Sequence, residues 1–192
     1  MIKTIITSTI MTVILTVLVG IVYPLAMTGI AQLVFPKQAN GSLIERDGKV
    51  IGSELIGQQF ADAKFFRSRP SAAGTGYDAA NSGATNLGPT SKALMDRLTH
   101  DRDSLRKLYP ELAGALPADM ITSSASGLDP DITIANAMLQ AKIVARTNNL
   151  QMDAVEALVR SHIQGRDLGF LGEPRVNVLA LNLDLLKHRK QP

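Results

Sequence analysis

The sequence has no cysteine and no tryptophan, and aromatic residues make up only 4% of it. Without cysteine there is no disulfide, no thiolate metal site and no lipoprotein attachment point. The scarcity of aromatics removes base-stacking surfaces. A net charge of +3 is too mild for a phosphate-backbone footprint, so no nucleic-acid partner is expected. Catalytic signatures are missing too. Neither G-x-S-x-G nor a P-loop occurs, and His100, His162 and His188 have no second ligand at a metal-binding spacing. No catalytic residue, metal ligand or bound cofactor is assigned on this basis. The most informative absence is charge: residues 4–36 contain no Asp, Glu, Lys, Arg or His.

That run exceeds the roughly 20 apolar residues that a helix needs to cross a hydrocarbon core of about 30 Å. A signal peptide has an apolar core of only about 7–15 residues and an A-x-A-like cleavage site. Here the core is longer and no such site follows. The expectation is an α+β soluble domain, residues 37–192, anchored by one N-terminal transmembrane helix within residues 1–36. Lys3 on one side and Lys37, Arg46 and Lys49 on the other leave the orientation undecided.

Within the span, Ser8, Thr12, Thr16 and Gly20 fall four apart and share one helix face. Small residues at that spacing let two helices approach closely in lipid. The same hydroxyls also suit bonds back to their own helix carbonyls. Pro24 is expected to kink the helix or open its hydrogen-bond ladder.

Beyond a short polar hinge, Asp47-Gly48 between apolar pairs predicts a two-residue β-hairpin. An amphipathic piece, QQFADAKFFRSRPS, comes next. Residues 68–90 are rich in Gly, Ala, Ser, Thr and Asn. They suit either a linker or an ordered loop pinned by Tyr77, Leu87 and Pro89. Thr90 or Ser91 should cap a helix that runs to about Tyr109, with Leu94, Leu98, Leu105 and Leu108 inward and Pro110 as its stop. Asp131 or Thr133 starts a further helix, with Ile134, Ala137, Met138, Ala141, Val144 and Ala145 inward, ended by Asn148-Asn149. Another spans about residues 153–164, with His162 on its inner side and Gly165 as its cap. RVNVLALNLDLL is apolar on both faces and reads as a central strand before a fraying basic end.

Two glycine-rich pieces, Gly74-Thr75-Gly76 and residues 82–89, lack the lysine of a P-loop and suit tight turns. Arg67 and Arg69 suit an anion or a carboxylate within the fold.

Five motifs in order carry a family resemblance. They are Gly57-Gln58-Gln59-Phe60; Phe65-Phe66-Arg67-Ser68-Arg69-Pro70-Ser71-Ala72; residues 82–90 with Asn86-Leu87-Gly88-Pro89; Ser126-Gly127-Leu128-Asp129-Pro130-Asp131-Ile132; and Gly172-Glu173-Pro174-Arg175-Val176-Asn177-Val178-Leu179. With the span they cover nearly the whole chain, and they resemble the C subunit of the high-affinity bacterial potassium-transporting ATPase, the Kdp complex. Ala84-Thr85 departs from the family pattern, which has a glycine and usually a serine there.

The resemblance implies a non-catalytic accessory subunit of a four-part inner-membrane complex. Its partners would be a channel-like potassium-translocating subunit, a P-type ATPase subunit and a small hydrophobic subunit. The N-terminus would be cytoplasmic and the domain periplasmic. The family role is assembly, with a further role as a catalytic chaperone that raises the pump's affinity for ATP. That role attributes nucleotide contact to Ser82, Gly83, Asn86 and Gly88. A periplasmic loop does not reach cytoplasmic ATP, so ATP is expected to enter through the pump subunit alone. The partner-contact set expected here is Ser8, Thr12, Thr16, Gly20, Arg67, Arg69 and Asn86. Rival readings are a membrane-anchored periplasmic enzyme or binding protein, and a secreted protein released by cleavage.

Overall fold

A computed structural model describes residues 1–112 and 114–189. The basic end, expected to fray, is helical as far as Arg189; its remainder lies outside these residues. The chain divides into two compact units, one ending at Ser53 and the other beginning at Glu54.

In the first unit, α1 (Ile2–Val17), a π-helical turn (Leu18–Val22) and α2 (Tyr23–Val34) form one apolar run. Among the described residues it is the only helix long and apolar enough to cross a membrane. The wider turn ends just before Pro24, and the Tyr23 N–H reaches back to the Leu18 carbonyl, five residues away. Proline has no N–H and its ring crowds the preceding turn, so the ladder opens there, as expected. After α3 (Pro36–Ala39), β1 (Leu43–Arg46) and β2 (Lys49–Ser53) pair antiparallel across Asp47-Gly48. Both turn residues have positive φ, 52° and 73°, which suits Asp-Gly and matches the twist of the strands.

The second unit is built on a three-stranded antiparallel sheet, with β5 (Arg175–Asn177) between β3 (Asp131–Thr133) and β4 (Ile163–Gln164). Three helices pack with it: α5 (Ile134–Asn148), α6 (Met152–Ser161) and α7 (Val178–Arg189). Thr133 caps α5 by accepting from the Asn136 N–H, and Asn149 ends it in the left-handed conformation. The inward positions 137, 141, 144 and 145 are buried, while Ile134 and Met138 pack partly buried against the core. Phe66, from the irregular chain before the sheet, is fully buried in that core.

Three expectations are corrected. The C-terminal apolar run is a strand only as far as Asn177, although that short strand is central as expected. Asn177 then accepts from the Ala180 N–H and caps α7. Val178, Leu181, Asn182 and Leu185 recur at helical spacing and are all buried. Helix α6 stops at Ser161 because Ile163 pairs with Val176, so Gly165 caps nothing. Helix α4 (Lys92–Leu108) has the expected boundaries, with Ser91 at its start, but buries none of its residues. Leu94, Leu98 and Leu105 are half-buried and Leu108 is exposed, and Leu105 and Leu108 line an open recess and not the core.

Candidate functional site

The piece from Gln58 to Ser71 forms neither helix nor strand, yet it is tightly held. Two buried amide side chains hold its backbone as a neighbouring strand would. Asn182 accepts from the Phe66 N–H and donates to the Phe66 carbonyl, both at 2.8 Å. Gln140 accepts from the Arg67 N–H at 2.7 Å and donates to the Arg67 carbonyl at 3.1 Å and to Asn136 Oδ1 at 2.8 Å. A buried backbone group must find a partner, and here helices α5 and α7 supply it.

Arg67 and Arg69 point to different surroundings. The Arg67 guanidinium lies 5.7 Å from the Tyr109 ring centre and donates to the Ala61 carbonyl. It lines a recess of about 360 Å³ between the loop and α4, together with Tyr77, Asp101 and Leu105. Its Nε is buried without a partner. Arg69 is turned inward. It pairs with Asp129 at 2.8 Å and reaches the carbonyls of Thr122 and Ser123. The internal carboxylate is thus its partner, the second of the two possibilities the sequence allowed.

The glycine-rich loop is ordered. Ser71 Oγ accepts from the Ala73 and Tyr77 N–H groups. The Tyr77 hydroxyl donates to the Arg69 carbonyl at 2.6 Å, and burial pushes its pKa up. Leu87 and Pro89 are exposed, so of the three expected pins only Tyr77 is half-buried. The Gly83 N–H and Ser82 hydroxyl both donate to the Ser126 carbonyl, so neither is a free donor for phosphate. Asn86 is exposed at φ 52°, and Gly88 is also exposed.

The motifs meet. Gly127, at φ +67°, passes so close that an added Cβ would lie 2.6 Å from the Gly83 carbonyl oxygen and 2.7 Å from the Ala73 nitrogen. The Gly57 N–H donates to the Leu128 carbonyl, and a Cβ on Gly57 would lie 2.5 Å from the Asp129 oxygen. Strand β3 carries Asp131 to β5, where Arg175 Nε sits 3.3 Å from its carboxylate. Five motifs far apart in sequence are thus one another's packing partners. Asp131 Oδ1 is buried. Burial first, and then the Asp129 charge, raise the Asp131 pKa against the pull of Arg175 and of the Asn177 amide.

His162 is half-buried and hydrogen-bonded, as expected: Nδ1 lies 2.9 Å from the Leu158 carbonyl. Among the described residues, no three of His, Asp or Glu gather as a metal site would require. On the span, Thr9 and Thr28 bond back to the carbonyls of Ile5 and Pro24. Among the described residues, Ser8, Thr12 and Thr16 make no such bond, and an added Cβ on Gly20 meets only Thr16, at 3.9 Å.

Sequence reasoning missed Asn136, Gln140, Asn177 and Asn182, all buried. It also missed Asp119, which accepts from the Thr133 N–H and hydroxyl. The signal was present: Gln140 and Asn182 interrupt the apolar faces of their helices.

Comparison with known proteins agrees with the motifs. The sequence profile described as "KdpC: K+-transporting ATPase, c chain" matches residues 5–187. The potassium-transporting ATPase KdpC subunit of Koribacter versatilis is 55% identical over 184 residues, 95% of this chain and 94% of that one. Its namesake from Bradyrhizobium diazoefficiens is 56% identical over 90% of both chains. That from Mycobacterium tuberculosis is 53% identical over 91% of this chain and 93% of its own. With the profile spanning almost the whole chain and relatives this close, the chain belongs to the KdpC family, the c chain of the K+-transporting ATPase.

Proposed function

We propose that this chain is a non-catalytic subunit that supports assembly of the potassium-transporting ATPase. The span anchors it in the inner membrane and the α+β domain lies on the periplasmic side. ATP stays with the P-type pump subunit, and this chain binds no cofactor of its own. The observation that supports this reading is how the motif residues are used. Gly83 and Ser82 serve Ser126, Arg69 serves Asp129, and Gly57 and Gly127 permit backbone contact. Groups committed to holding the loop in shape suit a docking platform better than a reaction site or a nucleotide cradle at Ser82, Gly83, Asn86 and Gly88.

The partner contacts in this reading are the Ser8, Thr12, Thr16 and Gly20 face on the span, and Arg67 and Asn86 on the domain. Arg69 acts through the loop that it braces. The channel-like, pump and small hydrophobic subunits are the partners, and any gain in the pump's ATP affinity is transmitted through these contacts. The recess beside Arg67 favours a second reading, a membrane-anchored periplasmic binding protein or enzyme for a small molecule of unknown identity.

Two measurements test the first reading. The full chain, purified alone in detergent, should turn over no ATP. Turnover that a point change in this chain abolishes would overturn it. A Lys49→Cys variant should react with an impermeant maleimide in intact spheroplasts, since Lys49 is exposed at the hairpin. Labelling only after lysis would reverse the topology.

A further inference from the structure

Residues 165–174 join β4 to β5, and the tip of this connection holds three large apolar side chains in solvent. Leu168 is 83% exposed, Phe170 68% and Leu171 49%. Large apolar groups clustered in water mark a contact surface more often than single ones do.

The tip is also preset. The Asp167 N–H donates to the Leu171 carbonyl and the Leu171 N–H to the Asp167 carbonyl, both at 2.9 Å. Arg166 pairs with Glu173 at 2.8 Å across its base, and Arg175, on the central strand, reaches Asp167 at 3.5 Å. Leu168 sits at φ +53°, a conformation that leucine rarely adopts, and Gly169 follows at +84°. Strain of this kind persists where the surroundings over-determine it, and it clusters at functional positions.

The charges around the tip decide between a lipid surface and a protein. Attraction to anionic lipid needs surplus Lys or Arg beside the apolar groups. The cations at the tip are Arg166 and Arg175, against Asp167 and Glu173, and both are paired, Arg166 with Glu173 and Arg175 with Asp131 and Asp167. What projects is an apolar knuckle without surplus positive charge.

We propose that this tip is a plug: Phe170, flanked by Leu168 and Leu171, inserts into an apolar recess on another protein subunit of the ATPase. The inference rests on the reading of this chain as an assembled subunit. A rigid aromatic anchor seated in a desolvated pocket, ringed by contacts that exclude water, is the make-up of an interface hot spot, with Leu168 and Leu171 as that ring. The preset backbone reduces the ordering that binding demands.

The test uses the whole complex in its membrane. A photo-crosslinking p-benzoylphenylalanine replaces Phe170, with the same group at exposed Met95 of α4 as the control. Irradiation should join this chain to one partner subunit from position 170, and mass spectrometry should place the link among apolar residues of that subunit. Phe170→Ser should weaken association by about 30-fold or more, the size of a hot-spot truncation. Thermal unfolding of the chain alone should hardly change, because the side chain packs against solvent. Links from position 170 to lipid alone, to a second copy of this chain, or to nothing in an intact complex would overturn the plug and leave the subunit role standing. A wild-type chain that associates with no ATPase subunit would overturn both.

Discussion

Replacing Asn182 with leucine keeps the number and branching of the side-chain heavy atoms, adds bulk, and removes both bonds to Phe66. Asn182 is 1% exposed and Phe66 0%, so water cannot stand in for the lost amide. Each buried backbone group left without a partner costs about 1–3 kcal/mol, which makes the expected loss about 2–6 kcal/mol. Whole domains are stable by about 5–15 kcal/mol, so the change removes a large share. At about 2–4 °C per kcal/mol for a chain of this size, the melting temperature should fall by at least about 4 °C. Far-UV circular dichroism of the full chain in detergent measures it, and hydrogen exchange at the Phe66 amide should speed up. Gln140→Leu should act in the same direction through Arg67. The two amides hold adjacent residues of one segment, so the double variant should lose less than the sum. A fall of under 2 °C for Asn182→Leu, with Phe66 still protected, would refute the clamp.

Other outcomes follow from the same geometry. Gly127→Ala should destabilise the domain by about 1–3 kcal/mol or more, because it meets both a positive φ and backbone atoms within 3 Å. Gly83→Ala should be nearly silent, since its Cβ meets nothing closer than 3.9 Å; equal effects in a denaturant titration would contradict the packing described. The Asp131 carboxyl should titrate above its ordinary 3.8 when followed by NMR, because burial disfavours its charge. With the folded pKa above the unfolded one, its stabilising contribution is fully present below the unfolded pKa and is lost as pH rises through the folded pKa. Asp131→Asn should flatten that part of the pH–stability curve, and a midpoint at or below 3.8 would reverse the sign. On the span, Gly20→Leu should reduce co-purification of the complex in mild detergent while Val19→Leu behaves as wild type; equal assembly of both would move the contact off the Ser8, Thr12, Thr16 and Gly20 face.

Elements with a local cause were legible from the sequence alone. An uncharged run longer than a bilayer core defines an apolar helix whatever follows it. Asp47-Gly48 carries its own turn geometry, and Thr133 and Asn149 bracket α5 because a cap acts on residues within a turn of itself. The motifs were likewise enough to identify the family. What required the tertiary structure depends on residues far apart. Val178 to Leu186 alternates as a strand would; the cap at Asn177 and the burial of Asn182 against Phe66, 116 positions away, make it a helix instead. The α4 leucines carry a helical stripe, but only the placed loop shows that Leu105 and Leu108 line a recess. The sequence offered no physical reason for Gly57 and Gly127; an added Cβ at either would lie within 3 Å of another stretch of backbone, a constraint that no window of sequence contains.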